Sequence, residues 1–143
     1  MLIEHLSLTK VTSAILVAAG APSAHADAVA HHLVEANLKG HDSHGVGMVP
    51  SYVKGMMDQH VDPHRHAQII KDNGAIVSID AGTGLGRVVG IEAMDIGVER
   101  TKKHGLACVA LGNAAHLGRI GAFAEHCAEH GLVSMHYVLS LIH

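Results

Sequence analysis

Two histidine-containing loops carry the side chains best suited to chemistry in this chain. The first loop has His44 beside Ser43. The second has His116 shortly before Arg119. Imidazole gains and loses a proton near neutral pH, and the unpaired N–H groups that open a helix attract anions. Together the two loops predict an acid/base enzyme that acts on an anionic substrate.

Several neighbours of these histidines strengthen the prediction. Tyr52 falls one or two turns into the helix after the first loop, where its hydroxyl can point back, and Gly45 permits a close backbone approach. In the second loop, the first turn of the next helix and the Arg119 guanidinium offer a place for a carboxylate or phosphate. A single loop histidine is more often structural than functional, so the residue pattern alone leaves both interpretations open.

Helices are expected to hold the first loop. Apolar residues recur at helical spacing before and after it, and Thr9 is the expected N-cap of the first helix. Helical patterns give way to short β-rich runs near Asp62-Pro63. This change predicts a helical N-terminal domain over residues 1–62 and the N-terminal part of an α+β domain over residues 63–143. The predicted helices run from about Thr9 to Ala19, from Pro22-Ser23 to Gly40, and from Met48–Pro50 onward.

Strands and helices alternate after that boundary. The Asn73-Gly74 pair lies between two β-rich runs and is typical of an antiparallel hairpin. A glycine-rich turn then leads into a helix, a strand, the His116 loop and another helix. A last apolar strand with no partner is expected to leave an open edge. The predicted elements are strands Ala67–Lys71 and Ala75–Asp80, helix Arg87–His104, strand Leu106–Leu111, helix Arg119–His130 and strand Leu132–Leu139.

The glycine-rich turn invites a comparison with dinucleotide-binding loops. It has the pattern G-x-G-x-G over Gly82 to Gly86, which differs from the G-x-G-x-x-G of that motif. The strand expected at Leu106–Leu111 also ends without the acidic residue that would hold a ribose. The turn is therefore interpreted as a helix-capping turn, and no Rossmann-type dinucleotide site is predicted here.

Fifteen histidines suggest a metal-binding module as an alternative function. His126 to His130 matches the H-x-x-E-H pattern of some zinc proteases, but no Asp or Glu follows it to complete a ligand set. These histidines are interpreted as the polar side of an amphipathic helix, and no metal is expected. His31 and His32 are expected on the outer side of the second helix.

Composition excludes other classes of function. A net charge of −3 and three aromatic residues argue against a nucleic-acid surface. No apolar run approaches the roughly 20 residues of a membrane-spanning helix. Cys108 and Cys127 fall at apolar positions typical of reduced thiols, which favours a cytoplasmic location.

The two loops also carry a family resemblance. The strings H-D-S-H-G-V-G-M-V-P-S-Y and N-A-A-H-L-G-R-I-G-A-F-A-E resemble the malate/L-lactate dehydrogenase family. Within that family, the G-M-x-P-S-Y motif is most similar to the one in the hydroxycarboxylate dehydrogenase B branch. The resemblance extends to about Val138. It implies a non-Rossmann α+β fold, with a small N-terminal helical domain followed by a largely antiparallel sheet and the helices packed on it.

The resemblance also implies a chemistry and a set of site residues. Family members are usually homodimers, and they use NAD or NADP to interconvert a 2-oxo acid and a 2-hydroxy acid. His44 and His116 match the two active-site histidines, and His116 is favoured as the proton donor. Ser43 and Tyr52 match positions that face the substrate. The resemblance assigns Gly118 to cofactor binding, with the other cofactor contacts beyond this chain.

Two departures from the family pattern bear on function. Many relatives carry an arginine that clamps the substrate carboxylate where this chain has Met48, which suggests a bulkier and more apolar 2-oxo acid. Relatives also continue for about as many residues again, whereas Leu139 to His143 diverges from them. This ending predicts an N-terminal fragment, and an inactive remnant of an enzyme is a further alternative.

Overall fold

A computed structural model describes residues 3–138 of the chain. It confirms the prediction of an α+β fold, because helices precede and cover a small sheet. Two short 3₁₀ turns carry the His44 loop. The elements are α1 (His5–Ala18), α2 (Ser23–Leu38), the 3₁₀ turns Asp42–His44 and Val46–Met48, α3 (Val49–Met57), β1 (Gln68–Asn73), β2 (Ile76–Asp80), α4 (Gly86–His104), β3 (Cys108–Gly112) and α5 (Gly121–Glu129).

Helix α1 starts earlier than its sequence suggested. The carboxylate of Glu4 accepts the backbone N–H groups of Leu6 at 3.0 Å and Ser7 at 2.6 Å, so Glu4 is the N-cap. Thr9, the expected cap, lies inside the helix and donates its hydroxyl to the carbonyl of His5. A carboxylate satisfies the first N–H groups and complements the helix dipole, which is why the helix extends back to this residue.

The helical part and the start of α4 share one apolar core. Leu16 of α1 and Leu33 of α2 are fully buried, and Tyr52 of α3 packs with them. Leu85 and Val88, at the start of α4, belong to the same cluster. Burial of such side chains stabilises the fold by roughly 1.5–3 kcal/mol each. The core therefore fixes the first turn of α4 against the three preceding helices.

The sheet is mixed within the described residues. Strands β1 and β2 form the antiparallel hairpin that Asn73-Gly74 predicted, and Gly74 adopts the left-handed conformation at φ 72°. Strand β3 pairs with β2 in parallel, after the chain has crossed over through α4. Helix α4 covers one face of the sheet, where Ala93 packs on the buried Val77 and Ile79.

The parallel pairing brings two turns together at one edge of the sheet. Because β2 and β3 run in the same direction, the glycine-rich turn after β2 and the His116 loop after β3 leave from neighbouring positions. The backbone N–H of Ala81 continues the ladder by donating to the carbonyl of Gly112 at 2.9 Å. The fold thereby places the His116 loop beside the start of α4.

The predicted last strand, Leu132–Leu139, is wrong for the residues that the structure describes. Residues 132–138 are in no strand, and Leu139 lies outside the described residues. Burial nevertheless alternates along the segment, and the side chains of Val133, Met135 and Tyr137 are 99%, 81% and 90% exposed. The sequence has strand character here, but none of the strands formed by residues 3–138 pairs with it.

Within residues 3–138, no helix combines the length and the apolar character that crossing a bilayer requires.

His32 was expected on the outer side of α2, and the structure corrects this. Its side chain is 1% exposed, whereas the neighbouring His31 is exposed. Nε2 of His32 accepts the backbone N–H of Arg119 at 3.0 Å, and Nδ1 is buried without a partner among the described residues. Burial, with the nearby positive charge of Arg87, lowers the pKa of His32 to about 4.

The buried His32 should make stability depend on pH. The unfolded ring binds its proton near pH 6.5 and the folded ring only near pH 4, so its contribution is complete above pH 6.5 and is lost as the pH falls toward 4. We expect the loss to reach about 3 kcal/mol. Urea unfolding across this range, compared between the wild type and His32→Gln, measures it.

The substitution His31→Gln is the matched control, because it removes an exposed histidine from the adjacent position of the same helix. It should leave the pH dependence unchanged. Equal slopes in the wild type and in His32→Gln would contradict the assignment.

Candidate active site

His44 and His116 meet in space although they are far apart in sequence. Their rings are stacked, with centroids 5.4 Å apart and planes inclined by 23°. His44 comes from the first 3₁₀ turn and His116 from the loop after β3. The structure therefore brings together the two histidines that the sequence singled out.

Asn37, at the end of α2, fixes the loop that carries His44. Its Oδ1 accepts the backbone N–H of Val46 at 2.8 Å, and its Nδ2 donates to Asp42. A Cβ atom on Gly45 would lie 2.1 Å from Oδ1 of Asn37, so the loop passes this side chain only because residue 45 is glycine. Sequence reasoning missed Asn37, and Gly45 was the only signal of a close neighbour.

Tyr52 holds His116 from the other side. Its hydroxyl lies 3.1 Å from Nδ1 of His116 and donates to the backbone carbonyl of the same residue at 3.2 Å. A carbonyl oxygen only accepts, so we infer that the single hydroxyl proton goes there and that the ring Nδ1–H donates to the hydroxyl oxygen. This arrangement leaves Nε2 of the ring available for proton exchange.

Burial shapes the acid/base properties of this pair. Burial raises the pKa of Tyr52 to about 12, so that its hydroxyl stays protonated. Burial also lowers the pKa of His116, and positive charge on the neighbouring His44 lowers it further. Ser43 completes the group, because its hydroxyl lies 2.9 Å from Nδ1 of His44.

A small cavity of about 70 Å³ opens beside His116. Its wall is mostly apolar, with Tyr52 and a serine as the polar exceptions near the histidine. Ser51 was not singled out by the sequence, and it stands one residue before Tyr52 on α3. The cavity is lined by Met48, Ser51, Tyr52, Val61, Ala115 and His116.

Arg119 does not line this cavity. It is 7% exposed and makes two hydrogen bonds to Glu125, at 3.0 and 2.6 Å. Lys39 contacts the same carboxylate at 2.6 Å, and hydrogen bonds from Arg119 and then Lys39 lower the pKa of Glu125 to about 2. In this geometry the charge of Arg119 is already paired within the protein.

Gly118 lies against the ring of His32. Its φ is +77°, and a Cβ atom there would be 2.2 Å from Nε2 of that ring. The close packing against His32 therefore explains why residue 118 is a glycine.

The glycine-rich turn supports the His116 loop. A Cβ atom on Gly86 would lie 2.3 Å from the carbonyl oxygen of His116 and 2.5 Å from that of Ala115. A Cβ atom on Gly84 would lie 2.7 Å from Val89. The space that these glycines leave is thus filled by the protein itself, and the turn offers no open cradle for a pyrophosphate. The glycine-rich turn therefore does not fit the pyrophosphate of a nicotinamide dinucleotide in this structure.

The other histidines make separate contacts. His126, from the H-x-x-E-H stretch, pairs with Asp95 at 2.7 Å, and the Nδ1 of His130 contacts the carbonyl of His126. In the part of the chain that the structure describes, no group of three or more His, Cys, Asp or Glu side chains is arranged to hold a metal ion.

Comparisons with known proteins identify a family for this chain. A sequence model of the malate/L-lactate dehydrogenase family matches residues 3–140. Hydroxycarboxylate dehydrogenase B of Escherichia coli O157:H7 is 49% identical over 119 residues, which cover 83% of this chain and 33% of that protein. L-lactate dehydrogenase of Cupriavidus necator is 34% identical over 137 residues, which cover 96% of this chain and 39% of that protein.

Solved structures that resemble this chain include dehydrogenases of hydroxy acids. Malate dehydrogenase from Pyrococcus horikoshii superposes with a TM-score of 0.87 at 32% identity, covering 92% of this chain and 38% of that one. Sulfolactate dehydrogenase from Methanocaldococcus jannaschii superposes with a TM-score of 0.85 at 32% identity, covering 90% of this chain and 38% of that one. The chain spans about a third of the hydroxycarboxylate dehydrogenases it matches. The relatives were expected to continue for about as many residues again as this chain has, and the coverage shows that they are longer than that.

Two neighbouring glycines test the packing of the His44 loop. Gly45→Ala should displace Asn37 and break its hydrogen bond to Val46, which lowers the free energy of unfolding by about 1–2 kcal/mol. Gly47→Ala is the control, because a Cβ atom there meets nothing within 4 Å. Its effect should stay within about 0.5 kcal/mol in the same chemical denaturation experiment. Equal effects at the two positions would refute the role of Asn37.

Proposed function

The chain belongs to the malate/L-lactate dehydrogenase family, and from this we propose that it supplies the acid/base histidines of an oxidoreductase for 2-hydroxy and 2-oxo acids. The observation that carries the proposal is the stacking of His44 on His116 beside an apolar cavity. Two convergent imidazoles with a hydrogen-bonded tyrosine suit the transfer of one proton to or from a small substrate.

His116 is the proposed proton carrier. Its lowered pKa keeps the ring neutral at neutral pH, ready to accept the hydroxyl proton of a 2-hydroxy acid at Nε2. In the reverse direction the same ring returns the proton to the carbonyl oxygen of the 2-oxo acid. Tyr52 orients the ring through the contact with Nδ1, and His44 acts as the polar orienting group on the other side.

The proposed cofactor is NAD or NADP, which supplies or accepts the hydride when bound. The glycine-rich turn is filled by the His116 loop, and the cavity of about 70 Å³ beside His116 is far smaller than a dinucleotide. Gly118, the one cofactor position that the resemblance suggested, is packed against His32. We therefore assign cofactor binding chiefly to the part of the enzyme that corresponds to the remaining two-thirds of its relatives.

The substrate is proposed to carry an apolar group beside its 2-oxo acid. Met48, Val61 and Ala115 give the cavity an apolar wall. Arg119 is less suited to bind the substrate carboxylate than the sequence suggested, because Glu125 already neutralises it. Ser43 stands next to His44, and with Tyr52 it remains a proposed substrate-binding residue.

Two further properties are proposed for the whole enzyme. A homodimer is consistent with the exposed apolar side chains of α1, among them Val11 and Ile15, which are 57% and 43% exposed. A cytoplasmic location is consistent with Cys108 and Cys127, which form no disulfide.

A chimera tests the proposed reaction. Residues 1–138 of this chain replace the matching part of Escherichia coli hydroxycarboxylate dehydrogenase B, and oxidation of NADH and NADPH is followed with a panel of 2-oxo acids. We expect turnover in the chimera, and we expect His44→Ala or His116→Ala to lower kcat by about 10²–10⁴-fold, the usual contribution of a positioned acid or base. His31→Ala, an exposed histidine outside the site, should retain activity.

Two outcomes would contradict the proposed reaction. One is a chimera that unfolds cooperatively on heating and yet turns over none of the acids. The other is unchanged kcat in both histidine variants.

Met48 should control the choice of substrate. In the same chimera, Met48→Arg places a guanidinium at the apolar wall and should favour a dicarboxylate such as oxaloacetate over a 2-oxo acid with an apolar side chain. We expect the ratio of kcat/KM values to shift by about tenfold or more, since each 1.4 kcal/mol of preference is roughly tenfold. Met48→Leu, which keeps the wall apolar, should leave the ratio unchanged. No shift with arginine would show that residue 48 does not face the substrate.

A further inference from the structure

We propose that Asp80 is a positioning residue for His116 and acts through a latch between the two turns that follow β2 and β3. The latch consists of Asp80, Gly82, Thr83 and Asn113. Asp80 is the last residue of β2, and it pairs in register with Gly112, the last residue of β3. It is therefore placed at the point where both turns begin.

The carboxylate of Asp80 joins the two turns directly. Its Oδ1 accepts the backbone N–H of Gly82 at 3.0 Å and the side-chain Nδ2 of Asn113 at 3.0 Å. These two hydrogen bonds, the first to Gly82, lower the pKa of the Asp80 carboxyl. The charged form is the better acceptor, and it predominates at neutral pH.

Backbone hydrogen bonds extend the latch toward His116. The N–H of Thr83 donates to the carbonyl of Asn113 at 2.7 Å, and the N–H of Ala115 donates to the carbonyl of Gly84 at 3.0 Å. Ala115 immediately precedes His116. The ladder of the sheet thus continues beyond the strands and ends next to the active-site ring.

The latch holds two residues in the left-handed backbone region. Thr83 has φ +60° and Asn113 has φ +54°, both in the left-handed region. The β-branched side chain of Thr83 makes that conformation costly, so surrounding contacts must enforce it. The Asp80 carboxylate is the side-chain group that ties these two strained turns together.

The role of Asp80 is positional, because it does not line the cavity beside His116. Its relevance to turnover rests on the proposed function. Its effect on the position of His116 does not, because NOE contacts and titration of the histidine rings in the 143-residue chain report on that position without turnover. Failure of the latch and failure of the proposed reaction are therefore distinguishable.

The experiment compares Asp80→Ala with a matched aspartate. With the carboxylate removed, the His116 loop should loosen, the pKa of His116 should rise toward the ordinary 6.5, and the NOE contacts between the His44 and His116 rings should be lost. Asp72→Ala is the control, because Asp72 accepts the N–H of Gly74 at 3.0 Å in the same kind of turn at the opposite end of the hairpin. It should leave the His116 titration unchanged.

Two more variants keep the test decisive if Asp80→Ala does not fold. Asn113→Gly removes the amide donor but tolerates a positive φ, so a folded chain with a raised His116 pKa is expected. Asp80→Asn retains an acceptor oxygen and should restore the wild-type titration. An unchanged His116 pKa and unchanged ring contacts in folded Asn113→Gly would overturn the proposal. So would an equal shift in Asp72→Ala.

Discussion

The constraint on which the site depends is the contact between the first residue of α4 and the backbone of the His116 loop. Gly86 approaches the carbonyl oxygens of Ala115 and His116 so closely that a Cβ atom would lie 2.3–2.5 Å from them. Leu85, the residue before it, is buried in the core of the helical part. One helix terminus therefore joins the packed helices to the edge of the sheet, and the position of His116 relative to His44 depends on that junction.

The acid/base properties of the site follow from this junction. His116 is held between the buried hydroxyl of Tyr52 and the ring of His44, which removes water from one side and places a second titratable ring on the other. Both influences act against a second positive charge, because desolvation and like charge each disfavour the protonated form. Outside the cavity lining, Glu125 neutralises Arg119, and Nε2 of His32 accepts the backbone N–H of Arg119.

Much of the fold could be predicted from local patterns, whereas long-range pairing could not. Helical periodicity found the helices, and Asn73-Gly74 found the hairpin. The two loop motifs identified His44 and His116. The burial of His32 and the pairing of Arg119 depend on partners 87 and 6 residues away, which spacing within one element does not reveal. The sequence predicts a helix-capping turn over Gly82 to Gly86 but not its contact with the His116 loop, because the backbone that fills its space lies far away in the chain. Residues 132–138 have strand character but no partner strand among the described residues.

The central claim is that His44 and His116 form one coupled pair, and the most direct test is the titration of His116 with and without its neighbour. NMR titration of the wild-type chain should give a His116 pKa below 6.5, and replacement of His44 by glutamine should raise it, because the like charge is removed. Tyr52 and its burial remain in that variant, so the rise should be partial. A His116 pKa that is ordinary in the wild type, or that does not respond to His44→Gln, would contradict the account.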